Sequence, residues 1–327
     1  MELPPTTPRL DSLSWAFAFV PGCPPVCGDP RPPGGPGWDW LHYDLVHSGA
    51  RAAIEAESSF PSFILRLLVG ADETPRIVND GNAVTGVLPS FVRSVGPDGH
   101  AVGWWRFAMR PDRLITCRRR PVRSLTAAWE GIGGGQVPDG PVALLDNAIA
   151  EFAREARRRV AALDDELDAA EDTLLDRDPS ADLGGLGAQL GQARREVTTI
   201  KRALVPLARL LAEDADELPA WAMQASHDTA RNQVLSALDD IGALHDRARS
   251  LQDELAARQA EETNRRLYIV SVVTTVVMPA ALVAGFFGMN TGGMLWAEHG
   301  LGTVFAAGLC VLSMVGTLAV LRWKRLL

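Results

Sequence analysis

Leu267 to Phe287 is a run of twenty-one residues without one charged side chain. At about 1.5 Å rise per residue, a helix of that length covers a hydrocarbon core about 30 Å thick. A second apolar run, Leu301 to Leu321, follows a short loop and ends in Arg322-Trp323-Lys324-Arg325. Two closely spaced spans behind a large polar region make this a membrane protein with its bulk on one side. Arg258, Arg265 and Arg266 precede the first span, whereas the loop Thr291 to Gly300 has no Lys or Arg and one acid, Glu298. The positive-inside rule then puts both termini in the cytoplasm and the short loop outside. The start, Met1-Glu2-Leu3-Pro4-Pro5, has neither the basic region nor the apolar core of a signal peptide.

The 327 residues carry a net charge of −8. An acidic polar part argues against nucleic acid as a partner and favours cations. The four cysteines, Cys23, Cys27, Cys117 and Cys310, form no repeated CxxC grid, so neither a disulfide framework nor a zinc finger is supported. Cys23 and Cys27 with His42 or His47 are a minor candidate for a zinc ion; an incidental pair in a Pro-rich loop is the plainer reading. There is no phosphate-cradling glycine loop, no His-Glu-x-x-His and no nucleophile elbow, so no enzyme is expected.

Residues 1–37 are rich in Pro and Gly and contain one strand pattern, Trp15 to Val20. Residues 38–140 read as an α/β domain with a mixed sheet: strands near Trp38–Leu45, Arg76–Asp80, Ala83–Val92, Val102–Met109 and Arg113–Arg118, and a helix over Phe60–Val69. Asp80-Gly81-Asn82 is the hairpin turn, and Gly131 to Gly140 reads as a linker. Arg118-Arg119-Arg120 is a solvated strand end or, less simply, an anion patch. Residues 141–220 form an antiparallel helical hairpin turning at Asp176 to Ser180, and Pro206 should kink or break its second helix. Residues 221–290 are a stalk helix continuing into the first span, 291–300 a periplasmic loop, 301–321 the second span and 322–327 a basic tail. The fold class is therefore an α+β cytoplasmic domain, a long helical stalk and two C-terminal transmembrane helices.

Asp239, Asp246 and Asp253 recur every seven residues on the stalk. In a symmetric bundle they would stack as acid rings that concentrate cations; alone they are a solvated stripe. Neither span holds Asp, Glu, His or Lys. Zinc is normally held by Cys, His or carboxylate, so a divalent ion passing here should keep most of its water. It would be contacted through the oxygens of Ser271, Thr274, Thr275 and Asn290. Several copies of Asn290 around an axis would make a neutral oxygen-rich ring, and Gly285 and Gly288 permit close helix approach. By itself, Gly288-Met289-Asn290 is equally a helix C-terminal turn.

Gly288-Met289-Asn290, closing the first of two C-terminal spans behind a very long helix, resembles the CorA superfamily of divalent metal-ion transporters. Thr291-Gly292-Gly293 is similar to the loop of its ZntB, zinc-transporting branch, as are Leu114 to Arg120, Leu204 to Arg209 and Thr263 to Tyr268. The resemblance covers residues 38–327 and implies a CorA-like homopentameric funnel in the bilayer. It makes Gly288, Met289 and Asn290 the selectivity filter. Its pore spacing falls on Leu267, Ser271 (or Val270), Thr274, Met278 and Ala281, with Leu267 and Met278 as apolar constrictions. Asp253 falls where CorA channels place an intersubunit regulatory metal carboxylate. Glu298 and His299 would attract cations outside, although Met294-Leu295-Trp296-Ala297 departs from the common ZntB loop. The expected cargo is Zn²⁺, with Cd²⁺, Ni²⁺, Co²⁺ and Mg²⁺ as further candidates, no cofactor, and proton coupling as in the ZntB branch. Two readings compete: a CorA-type magnesium/cobalt channel gated by cytoplasmic Mg²⁺, and a membrane-anchored coiled-coil scaffold.

Overall fold

The structure, a computed structural model, describes residues 13–28, 35–93, 101–176, 182–213, 219–223, 228–288 and 302–324. Contacts divide the chain into two compact units, Met1–Gln252 and Asp253–Leu327.

The first unit is built on a seven-stranded sheet. Its strands are β1 (Leu13–Phe19), β2 (Val26–Cys27), β3 (Trp38–Asp44), β4 (Arg76–Asn79), β5 (Val84–Phe91), β6 (Val102–Arg110) and β7 (Arg113–Arg118). They lie in the order β2-β1-β3-β7-β6-β5-β4. Only β3 and β7 run parallel; the other neighbours are antiparallel, so the sheet is mixed. All eight residues of β5 are buried, because helices cover both faces and the polar–apolar alternation of a one-sided sheet is lost. Pro89 sits in β5 beyond the reach of β4, whose ladder spans only Val84 to Val87, and so its missing N–H leaves no gap there. The β4–β5 turn closes as its sequence requires: Gly81 takes φ +88, and the Asn79 and Asp80 side chains accept from the backbone N–H groups of Gly81, Asn82 and Ala83.

On one face pack α1 (Ala50–Glu55) and α2 (Ser62–Val69). Ile54, Phe60, Ile64 and Leu68 meet Leu41, Tyr43, Ala108, Ile115 and Cys117 in one buried cluster. The opposite parity of the strands carries Trp40, His42, Phe91, Trp105, Phe107 and Thr116. That face is covered by α3 (Arg123–Gly133), α4 (Pro141–Leu175) and α5 (Leu183–Glu213). Phe91 of β5 lies against Phe152 of α4 with ring centroids 5.2 Å apart. Pro141 opens α4, where its fixed φ suits a first helical turn.

After α6 (Ala220–Met223) comes α7 (Asp228–Gly288), 61 residues long, and then α8 (Gly302–Trp323). Val234, Ala237, Ile241, Leu244, Ala248 and Leu251 are the buried row of the first part of α7. Arginine–carboxylate pairs flank it. Arg157 of α4 reaches Asp240 at 2.8 Å, and Arg247 of α7 binds Asp164 at 2.6 Å, Glu171 at 2.6 Å and Asp168. Arg159 pairs with Glu196 of α5. The Arg157 and Arg247 pairs are partly solvated, so each adds little to stability, while the Arg159–Glu196 pair is more enclosed; together they fix helix register. In the second unit α7 and α8 are the two helices long and apolar enough to cross a membrane.

Several sequence expectations change here. Gly131 to Gly133 end α3 rather than forming linker, a helix missed because glycine ends it. α1 and the two-residue β2 also escaped notice, being too short to show a period. α5 runs through Pro206 without a break; buried Ala203, Leu204 and Leu207 hold it on both sides, and tertiary packing outweighs one lost hydrogen bond. The single stalk helix expected over 221–290 is, among the described residues, two helices, α6 and α7. The turn at Asp176 to Ser180 lies mostly outside the described residues.

Gly86 offers a test of sheet packing. A Cβ there would stand 2.5 Å from the Arg76 carbonyl oxygen and 2.7 Å from the Phe107 ring, and neither backbone nor buried ring can give way cheaply. Gly86→Ala is expected to destabilise the first unit by about 1–3 kcal/mol. Gly28→Ala, with nothing within 4 Å, should have little effect. Thermal unfolding followed by tryptophan fluorescence compares the two.

Candidate functional site

The membrane end of α7 has two faces. Val272, Val276, Pro279, Ala280, Val283 and Phe287 are covered to differing degrees, Val276 most, at 8% exposed. The cover is α8: Cys310 Sγ meets the Ala280 carbonyl oxygen at 3.4 Å and Phe287 meets Phe305 at 6.4 Å between centroids. Leu267, Ser271, Thr274, Met278 and Ala281 are all exposed. At about 100° per residue, Thr274 and Met278 lie about 200° around the helix from Val276. The five residues therefore form one row, spaced by four and three, on the side of α7 turned away from α8.

That row is chemically sparse. It holds no carboxylate, imidazole or amine. Thr274 Oγ1 donates to the Val270 carbonyl oxygen at 2.8 Å, and its neighbour Thr275 donates to Ser271 at 2.7 Å. Each hydroxyl proton is thus returned to the helix, which leaves the oxygen lone pairs as acceptors. Acceptors of this kind suit the protons of water around a cation, not the bare ion, whose desolvation would need anionic ligands. Gly285 and Gly288 have no atom of the chain within 4 Å of where a Cβ would stand, so this edge of α7 is open to a close neighbour.

Gly288 is the last residue of α7. Met289, Asn290, Glu298 and His299 lie outside the described residues. Asp239, Asp246 and Asp253 are exposed and form no ion pair among the described residues, whereas the adjacent Asp240 is taken by Arg157. Among the described residues no group of three or more His, Cys, Asp or Glu side chains is placed to hold a metal ion.

The soluble unit contains a buried polar node that the sequence did not announce. Arg118 Nε donates to His42 Nε2 at 3.0 Å, so the ring proton must be on Nδ1, which donates to Thr116 Oγ1 at 2.8 Å. Trp40 Nε1 donates to the same hydroxyl at 2.9 Å, and Trp15 stacks on the imidazole at 4.0 Å. Both nitrogens of His42 are engaged, so it cannot join Cys23 and Cys27, which are exposed, in a zinc set. Arg118 is accordingly not a free strand-end cation. It sits 3.8 Å from Asp44, Arg119 donates to the Gly70 carbonyl, and only Arg120 keeps the solvated role. Arg113 is a second buried cation, held by Asp39 at 3.4 Å and Glu57 at 3.0 Å. Burial pushes the Cys117 thiol up to about 12, which makes it inert as a ligand or nucleophile at neutral pH.

A profile of the CorA-like Mg2+ transporter protein family matches residues 35–325. The chain belongs to this family. Its relatives include the zinc transport protein ZntB of Yersinia enterocolitica, 24% identical over 293 residues that cover 88% of this chain and 86% of ZntB. The divalent cation transporter CmaX of Pseudomonas aeruginosa is also 24% identical, over 87% of this chain and 84% of its own. Among solved structures, full-length CmaX superposes with a TM-score of 0.76 at 21% identity, covering 96% of this chain and 98% of that one. The CorA magnesium transporter of Methanocaldococcus jannaschii gives 0.76 at 15% identity, covering 94% and 97%. These likenesses establish the fold: an α+β domain, a long helix and two apolar C-terminal helices. Membership makes the chain a CorA-type divalent-cation transporter of the membrane, similar to ZntB, within a family of transporters rather than enzymes.

His42 makes the soluble unit pH-sensitive. Burial first, and the Arg118 guanidinium second, hold its pKa well below the ordinary 6.5. The unfolded chain therefore binds a proton that the folded chain refuses, and stability falls as pH drops below about 6.5 towards the lowered folded value. The thermal midpoint of the full chain should decline over that window. His42→Gln, which removes the titrating group, is expected to flatten the decline; an unchanged slope would remove His42 as its cause.

Proposed function

We propose that this chain is a zinc-transporting member of its family. It passes a largely hydrated divalent ion through a pore formed by several copies of α7, five in the arrangement its family resemblance implies. The observation that carries the reading is the exposed row Leu267, Ser271, Thr274, Met278 and Ala281. It is turned away from α8, devoid of anionic ligands and supplied with hydroxyl acceptors. A single α7 cannot enclose water, so the row has a purpose only when copies face one another across an axis. Met278 and Leu267 narrow that path with apolar side chains, and apolar constrictions gate by excluding water.

At the outer end, Asn290 is the filter: its amide oxygen and nitrogen contact first-shell water without removing it. Met289 and Gly288 set the close approach of neighbouring chains, and Glu298 and His299 raise cation concentration at the mouth. On the cytoplasmic side the solvated carboxylates of Asp239, Asp246 and Asp253 are drawn together in the assembly, and a divalent ion relieves their repulsion. Both termini lie in the cytoplasm, since Arg265 and Arg266 precede the first span and Arg322 and Lys324 end the second. The ZntB relatives and Thr291-Gly292-Gly293 support zinc, with coupling to protons supplied by the gradient rather than by a membrane-buried carboxylate. The family's Mg2+ description favours the alternative, a magnesium channel.

Flux into proteoliposomes separates the two readings. Zn²⁺ and Cd²⁺ entry that rises with an imposed pH gradient is expected of the zinc transporter; Mg²⁺ flux indifferent to the gradient would support the channel. Asn290→Ala should lower flux tenfold or more, and wild-type flux in that variant would sink the filter assignment. Thr274→Val, which keeps the volume and removes the acceptor, should lower flux severalfold, while Thr275→Val, off the row, should not.

A further inference from the structure

A groove of about 510 Å³ runs along the membrane unit between the two apolar helices. Val276 of α7 and Val311, Met314, Val315, Leu318 and Ala319 of α8 line it, and Arg322 closes one end. The α8 residues recur at helical spacing on one face. From Val311 to Arg322 is eleven residues, about 16 Å along the axis, which is half of a 30 Å hydrocarbon core. The contacts of Ala280 with Cys310 and of Phe287 with Phe305 fix an antiparallel register. Continued, that register brings Tyr268 level with Arg322. Tyr268 and the exposed Trp323 are the side chains expected at a membrane–water interface. The groove therefore spans one leaflet, with its cationic end at headgroup depth.

Arg322 forms no ion pair among the described residues, and from His299 to the end the sequence contains no Asp or Glu. On α7 the nearest acids, Glu261 and Glu262, lie six or more residues beyond Tyr268, and Glu262 is paired with Arg266 at 3.5 Å. A second copy of the chain brings its own Arg322 and Lys324 to the same depth, so assembly gathers cations at this level, where anionic headgroups offer counter-charge.

We propose that the groove is a binding site for an anionic phospholipid. One acyl chain lies along Val276, Val311, Val315, Leu318 and Ala319, and the phosphate sits against Arg322. Attraction between a basic residue and an anionic headgroup corresponds to about a fivefold preference per charge.

Native mass spectrometry of the full-length chain tests this with phosphatidylglycerol and phosphatidylcholine titrated into detergent. The wild type is expected to retain phosphatidylglycerol at about fivefold lower lipid concentration than phosphatidylcholine. Arg322→Gln should bring the two lipids to parity, and Arg322→Lys should keep the preference. Ala319→Trp, which fills the groove, should lower retention of both lipids. The same spectra report the oligomeric mass, so a variant that fails to assemble is recognised, and the Arg322→Lys comparison still decides. Equal retention by the wild type, a preference that survives Arg322→Gln, or no retained lipid because a second copy fills the groove would each overturn the proposal.

Discussion

The membrane-spanning part of α7, Leu267 to Phe287, has no charge with which to hold a charged cargo. Stripping water from a divalent ion requires anionic or strongly donating ligands, and the exposed row of α7 offers only the hydroxyls of Ser271 and Thr274, the latter with its proton given back to the helix. What such a row can do is accept hydrogen bonds from the ion's water. This one limitation orders the whole molecule. In the proposed transporter, selection falls to the Asn290 amide and concentration to solvated carboxylates, while the span itself stays apolar enough to lie in lipid.

The soluble unit has the opposite problem, since it must hold many charges in a defined place. It does so at two depths. At the helix surface, Arg157 and Arg247 pair with carboxylates of neighbouring helices, and these partly solvated contacts set register more than stability. Beneath the sheet surface, Arg113 with Asp39 and Glu57 is enclosed, and Arg118, partly covered, reaches the buried His42. Breaking a buried pair typically costs about 3–5 kcal/mol, because the surviving charge is left without water. The parallel β3–β7 pairing in the middle of the sheet brings these groups together, so the topology and the charges lock each other.

Charge is also segregated along the sequence. Acids crowd the soluble unit and the approach to the membrane, while beyond His299 there are only cations. Arg322 therefore meets its natural complement not in the protein but in the headgroup layer, and the apolar groove above it is of the length that one leaflet provides. The membrane becomes a source of counter-charge as well as a solvent for α7 and α8.

The spans, the long helix and the sheet strands were legible in the amino-acid order. Hydrophobic period and uncharged length are local quantities, and in hydrocarbon a helix is the one open-ended way to satisfy every backbone group. The row Leu267, Ser271, Thr274, Met278 and Ala281 could likewise be counted off a helix with the help of a family resemblance. Which side of α7 is covered by α8 could not, because the register of Cys310 on Ala280 is a contact between residues thirty apart. For the same reason the end of α3, Gly131 to Gly133, reads as linker in the sequence, since its glycines carry no helical signal and packing on α4 and β5 supports it. Arg118 shows the division most clearly. Its sequence neighbours make it one of three consecutive arginines, a solvated strand end. The pairing of β3 with β7 places it instead against His42, and burial turns an ordinary surface cation into part of a pH-sensitive core.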